Sequence, residues 1–152
     1  MFWSNKRIGM VVAGYFSLYL FGCGTPDDVI TRSLVDASAR GDDMTVAELL
    51  LSGANPNLAD GKEGPTPLVI AASRCNESVI RLLVVGGANI NRSAVPGTPL
   101  YAAALSGQEK CVVLLKKLGG KLNINEAQAQ GLRRTLREQK WKEIEQLLSP
   151  EI

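Results

Sequence analysis

The sequence predicts an all-α fold, a solenoid of stacked helix-turn-helix units with short hairpin-like loops, and two observations carry that prediction. The apolar triplet Val46, Leu49, Leu50 returns as Val79, Leu82, Leu83, as Cys111, Leu114, Leu115 and as Ile144, Leu147, Leu148, at spacings of 33, 32 and 33 residues. Each triplet has the i, i+3, i+4 spacing of one helix face, and a stripe of that size cannot be buried without a neighbour. Copies at a fixed period therefore stack. Composition agrees: 45% of the 152 residues are hydrophobic but only 5% aromatic, so alanine, leucine and valine supply a core suited to small, closely stacked helices.

The chain opens on a leader. Lys6 and Arg7 form a positive start, Ile8 to Gly22 is an apolar run of fifteen residues, and Gly22 puts a small residue before Cys23, the layout of a secretion signal. Fifteen is short of the roughly 20 apolar residues that cross a bilayer; an uncleaved signal anchor is the alternative reading. The run Leu20-Phe21-Gly22-Cys23 resembles the lipobox of bacterial lipoproteins, with Phe21 standing where a smaller residue is usual. That resemblance implies removal of residues 1–22 as a signal peptide and lipidation of Cys23 as a diacylglyceryl thioether with an acylated amino group. Gly24, in place of aspartate, implies the outer membrane rather than the inner, facing the periplasm. Residues 23–27 then form a lipid-anchored tether of about 15 Å, which holds the folded domain close to the bilayer.

Residues 28–149 form the repeat domain. The segment 28–60 keeps Ile30, Leu34, Ala37, Gly41 and Gly53-Ala54-Asn55, and reads as a divergent first cap. Two full copies follow, about 61–92 and 93–124. The second of the four segments carries Gly64-Pro65-Thr66-Pro67-Leu68, Ala71-Ala72, Val79-Ile80, Leu82-Leu83 and Gly87-Ala88-Asn89-Ile90-Asn91; the third carries Gly97-Thr98-Pro99-Leu100, Ala103-Ala104, Gly107, Leu114-Leu115 and Gly119-Gly120. Thr66 and Thr98 are expected to cap a first helix whose opening turn holds Pro67 or Pro99. Gly41 and Gly107 are expected to end a first helix in the left-handed conformation, and Gly53, Gly87 and Gly119 a second. The last segment, 125–149, keeps Ile144, Leu147 and Leu148, with Asn125 as its cap. Terminal copies diverge because one side of each faces water.

These motifs resemble the ankyrin repeat, whose Thr-Pro-Leu-His, Ala-Ala, glycine turn, Leu-Leu and Gly-Ala-Asp-x-Asn elements fall at the same offsets. Two departures stand out. Val69 and Tyr101 replace the family's histidine, and Cys75 stands where a turn glycine is usual, a substitution that costs about 1 kcal/mol if the turn is left-handed. The resemblance implies a non-enzymatic module that binds another protein through loop tips and the exposed side of its first helices. On this chain those positions are Arg40, Asp60, Lys62, Glu63, Ser73, Arg74, Arg92, Ser93, Leu105 and Ser106. Ankyrin-like lipoproteins also suggest two alternatives: an immunity-type inhibitor of an envelope-targeting toxin such as a lipase, or a protective accessory of an exported redox enzyme.

Other functions are disfavoured by composition. The chain has no histidine, which removes the commonest general base and zinc ligand; no catalytic residue, cofactor, metal or small-molecule substrate is expected. The formal charge of +2 comes from Lys6 and Arg7 alone, and without them fifteen bases match fifteen acids, so long-range attraction for nucleic acid is absent. Residues 23 to 60 hold seven acids and two bases, and residues 61 to 125 eight bases and three acids, so the stack runs from an acidic end to a basic middle. Gly119-Gly120-Lys121 is explained as the turn after a helix rather than a phosphate loop. The cluster Arg133, Arg134, Arg137, Lys140 and Lys142 is interleaved with Glu138, Glu143 and Glu145 and reads as a solvated face, while Trp141 is expected to cover the end of the core. A Cys75–Cys111 disulfide is not expected: Cys75 falls in a turn between helices and Cys111 at a buried helix position of the next copy, and helices stacked about 8–10 Å apart exceed the Cα separation a disulfide tolerates.

Overall fold

The computed structural model describes residues 26–59 and 64–152; the leader, Cys23 and the tether up to residue 25, and Asp60, Lys62 and Glu63, lie outside them. Eight helices form among the described residues, as four pairs: α1 (Pro26–Arg40) with α2 (Asp43–Leu51), α3 (Pro67–Arg74) with α4 (Glu77–Val85), α5 (Pro99–Leu105) with α6 (Glu109–Lys117), and α7 (Glu126–Glu138) with α8 (Lys142–Leu148). No strand occurs there. Within each pair the turn is two or three residues long, which folds the second helix back along the first.

The caps are where the residue types require them. Thr66 and Thr98, both extended, accept the backbone N–H of Val69 and Tyr101 at 3.3 Å each, and Pro67 and Pro99 open the helices that follow. Thr98 Oγ1 also donates to the Lys121 carbonyl at 2.9 Å, tying the start of α5 to the next loop. Asn125 and Gln128 form a reciprocal capping box at 2.8 and 3.1 Å. The turn inside each pair contains one left-handed residue: Gly41 (φ 71°), Cys75 (φ 56°), Gly107 (φ 67°) and Lys140 (φ 60°). Cys75 and Lys140 thus occupy glycine positions at a cost of about 1 kcal/mol each.

The repeat register differs by one residue from the spacing of the apolar triplets. The caps that open the second helices, Asp42, Asn76, Gln108 and Trp141, are 34, 32 and 33 residues apart, and left-handed Gly53, Gly87 and Gly119 keep the 34 and 32. Val46 therefore corresponds to Ile80 rather than to Val79. An amphipathic helix offers two overlapping i, i+3, i+4 triplets on its buried face, and periodicity alone does not choose between them.

The first helices pack into one row, with α3 against α5 the most extensive contact of the fold. Ala71, Ala72, Ala103 and Ala104 have no accessible surface, and such small side chains permit that close approach. Behind them, the contact between α4 and α6 is the least extensive between equivalent helices of adjacent copies, so the row of first helices carries most of the packing at this junction. Leu34, Leu68, Leu83, Leu100, Leu115, Leu132, Leu136 and Leu148 fill the space between the rows.

Hydrogen bonds lock each loop to the next. Asn57 Nδ2 donates to the Gly87 carbonyl at 2.9 Å while its Oδ1 accepts from Asn89 N at 2.7 Å. Asn91 repeats the pattern one copy on, donating to the Gly119 carbonyl at 3.2 Å and accepting from Lys121 N at 2.7 Å. At the end of the stack Glu151 takes over, accepting from Leu122 N at 3.2 Å and from Lys116 Nζ at 2.8 Å. Trp141 closes the last turn of the row, its ring lying where a Cβ on Gly107 would fall.

The expectation for the cysteines is overturned. Cys75 and Cys111 form a disulfide across the second and third copies, with Cα atoms 5.4 Å apart and a sequence separation of 36. The interhelical spacing argument fails because Cys75 is not on a helix. It is the left-handed residue just after α3, displaced from the helix cylinder toward the following copy, whereas Cys111 lies on the fully buried side of α6. Closing a loop of this length restricts the unfolded chain by about 4 kcal/mol on the chain-entropy account.

Candidate protein-binding surface

The cap register sorts the candidate residues into columns. Arg40, Arg74 and Ser106 occupy the same position at the end of α1, α3 and α5, 34 and 32 residues apart, and all three are exposed. One residue earlier, Ala39, Ser73 and Leu105 form a second, half-buried column. The structure therefore brings Arg40, Ser73, Arg74, Leu105 and Ser106 into one strip across three adjacent first helices. Ser73 Oγ donates back to the Ile70 carbonyl at 2.9 Å, which holds its side chain against the helix. Leu105 packs partly on the core and leaves the rest of its surface to solvent.

Arg92 and Ser93, also exposed, are not part of that strip. They lie in the loop before α5, at the opposite end of a seven-residue helix about 10 Å long. In the same loop Ala94 N donates to the Gly97 carbonyl at 3.1 Å, folding the segment into a tight turn that presents Val95 at 58% exposure. Val95 was not among the sequence candidates.

Electrostatics around the strip are simple. Asp42, next to the turn after Arg40, accepts from the Thr45 hydroxyl at 2.7 Å and from Thr45 N at 3.1 Å. Those bonds, the hydroxyl first, hold its carboxyl below the ordinary value of 3.8, with Arg40 assisting. Burial pushes the Tyr101 phenol up. Two basic residues of the last copy are engaged with acids at an exposed surface, Arg134 with Glu138 at 2.7 Å and Arg137 with Glu145 at 3.1 Å.

Among the described residues, no group of three or more His, Cys, Asp or Glu side chains is placed to hold a metal, and no helix is long and apolar enough to cross a membrane. A surface built from helix ends and loop tips, with arginines and a partly exposed leucine, is suited to contact with another macromolecule.

Comparison with known proteins agrees with this architecture. Residues 34–126 match the ankyrin repeats family in three copies. The chain belongs to the ankyrin-repeat family, a family of protein–protein interaction modules. Similar curated proteins include the E3 ubiquitin-protein ligase KEG of Arabidopsis thaliana, 35% identical over 107 residues, or 66% of this chain and 7% of the plant protein. The human SH3 and multiple ankyrin repeat domains protein 1 is 41% identical over 80 residues, covering 51% of this chain and 4% of its own. The Drosophila melanogaster transient receptor potential channel pyrexia is 37% identical over 73 residues, 47% of this chain and 8% of the channel. The chain thus spans less than a tenth of the length of these relatives.

Proposed function

We propose that this protein is a membrane-tethered, periplasm-facing module, non-enzymatic, that binds a protein partner along the strip formed by Arg40, Arg74 and Ser106 with Ser73 and Leu105. The observation that carries the reading is the coincidence of exposure and register: the same helix-end position is open to solvent in three successive copies. Arg40 and Arg74 on adjacent helices favour an acidic face on the partner, and Leu105 supplies an apolar contact beside them. The leader and Cys23 support the tether. The Cys75–Cys111 disulfide supports export, because such bonds persist in oxidising compartments.

Two experiments test this reading. Mass spectrometry of the native N-terminal peptide should find Cys23 acylated and residues 1–22 absent, and an intact unacylated leader would contradict the tether. In a crosslinking pull-down from cell envelope, Arg40→Glu with Arg74→Glu should reduce recovery of the partner at least tenfold, while Arg81→Glu, exposed on α4, should not. Equal recovery from both would remove the strip from the interface.

A further inference from the structure

We propose that the Cys75–Cys111 disulfide is an oxidation-dependent strut that sets the geometry of the binding strip, so that the surface is fully formed only after the chain meets a disulfide donor. This rests on the strip being the binding surface. At the left-handed turn, Gly41 and Gly107 flank Cys75 in the neighbouring copies, and at the matching position of the second helix half-buried Thr45 and buried Val79 and Ile144 correspond to Cys111. Each cysteine is thus a departure from what its neighbours use: Cys75 accepts a backbone conformation that disfavours a side chain, and Cys111 puts a thiol at a wholly buried site. The two departures meet each other in space.

The location gives the bond its consequence. Elsewhere in the row, the residue that opens the second helix covers the preceding left-handed glycine: Asn76 lies over Gly41 and donates to the Ser38 carbonyl at 2.7 Å, and Trp141 lies over Gly107. At Cys75 a covalent link reaches into α6 instead. This is the junction where the contact between the second helices, α4 and α6, is least extensive, and Cys75 directly follows Ser73 and Arg74. Without the bond, the end of α3 is held to the third copy by α3–α5 packing and, at the far end of the helices, by Asn91. Opening the disulfide therefore leaves the Ser73–Arg74 end tied to Leu105 and Ser106 by helix packing alone, without a covalent link into the third copy.

Formation of the bond balances as thiol–disulfide exchange with an oxidised dithiol protein as donor. The thiolate of half-buried Cys75 attacks one donor sulfur and expels the other as a thiolate; the Cys111 thiolate then attacks Cys75 Sγ and releases the donor as a dithiol. Two protons leave the cysteines and two electrons pass to the donor.

Hydrogen exchange on the purified full-length protein tests the strut without needing any partner, so its failure is distinguishable from failure of the pull-down. Reduction with dithiothreitol should accelerate exchange at least tenfold in the segments 73–78 and 105–111, leave 125–148 unchanged, and lower Tm by about 10 °C. The double variant Cys75→Gly with Cys111→Val restores the residue types of the neighbouring copies; it should fold, melt above the reduced wild type, and ignore dithiothreitol. A disulfide-intact peptide map should link Cys75 to Cys111. Unchanged exchange on reduction, quantitative alkylation of both cysteines without reductant, or a reductant effect of the same size in the double variant would each overturn the proposal.

Discussion

Asn91, a single exposed-edge side chain, makes two hydrogen bonds to the next loop through opposite ends of its amide, and no other amino acid of its length offers both a donor and an acceptor there. Asn91→Ala should therefore lower stability by about 1–2 kcal/mol in urea unfolding, and Asn91→Asp should recover little, since a carboxylate cannot donate to the Gly119 carbonyl. Ser38 is the opposite case. Its hydroxyl is fully buried with no hydrogen-bond partner among the described residues, while the equivalent positions hold Ala72 and Ala104. Ser38→Ala should raise stability by about 1 kcal/mol, and a fall in Tm would show that the hydroxyl has a partner. Asp42 ties folding to pH: because the Thr45 hydroxyl lowers its carboxyl in the folded state, its contribution is present above the unfolded value near 3.8 and is lost as pH falls through the lowered folded value. Asp42→Asn, which keeps the cap oxygen, should flatten the acid limb of a stability–pH curve below about 4.

Among the helices, caps and starts were legible in the sequence because each depends on a few adjacent residues. Thr66-Pro67-Leu68 and Thr98-Pro99-Leu100 announced α3 and α5, and Asn125 announced α7. What depended on three-dimensional placement was harder to read. The Cys75–Cys111 bond was missed because spacing between helix axes says nothing of a residue that has left the helix. The loop ladder of Asn57 and Asn91 was missed as well, although the Asn-x-Asn pattern after Gly53 and Gly87 was its signal. Two contacts hold α8 to the preceding copy: Trp141 sits on Gly107, and Lys116 Nζ donates to the Leu147 carbonyl at 2.7 Å. Trp141→Ala should cost about 2–3 kcal/mol, less than a fully buried tryptophan because its ring is partly exposed. Exchange in α8 should rise more than in α3 in that variant; a uniform rise would mean that the stack unfolds as one unit.

At the scale of the molecule, period and small-residue content made the solenoid readable, since stacking is the only way that four narrow apolar stripes are buried together. The proposed strip was readable to the extent that it follows the repeat. Arg40, Ser73, Arg74, Leu105 and Ser106 fall into register because each copy repeats the same helix end; Arg92 and Ser93 belong to a loop at the other end of α5; Asp60, Lys62 and Glu63 lie outside the described residues. Partner chemistry is legible only as sign and shape, two adjacent arginines with a leucine beside them, because a module shared by proteins as different as a ligase and a channel carries no further label.

Photocrosslinking in intact cells tests the strip most directly. With a photoreactive residue placed singly at Ser106, at Arg74 and, as a control on the outer helices, at Arg81, the account predicts the same discrete adduct from Ser106 and Arg74 and none from Arg81. Adducts of equal yield from Arg81, or none from either strip position, would contradict it.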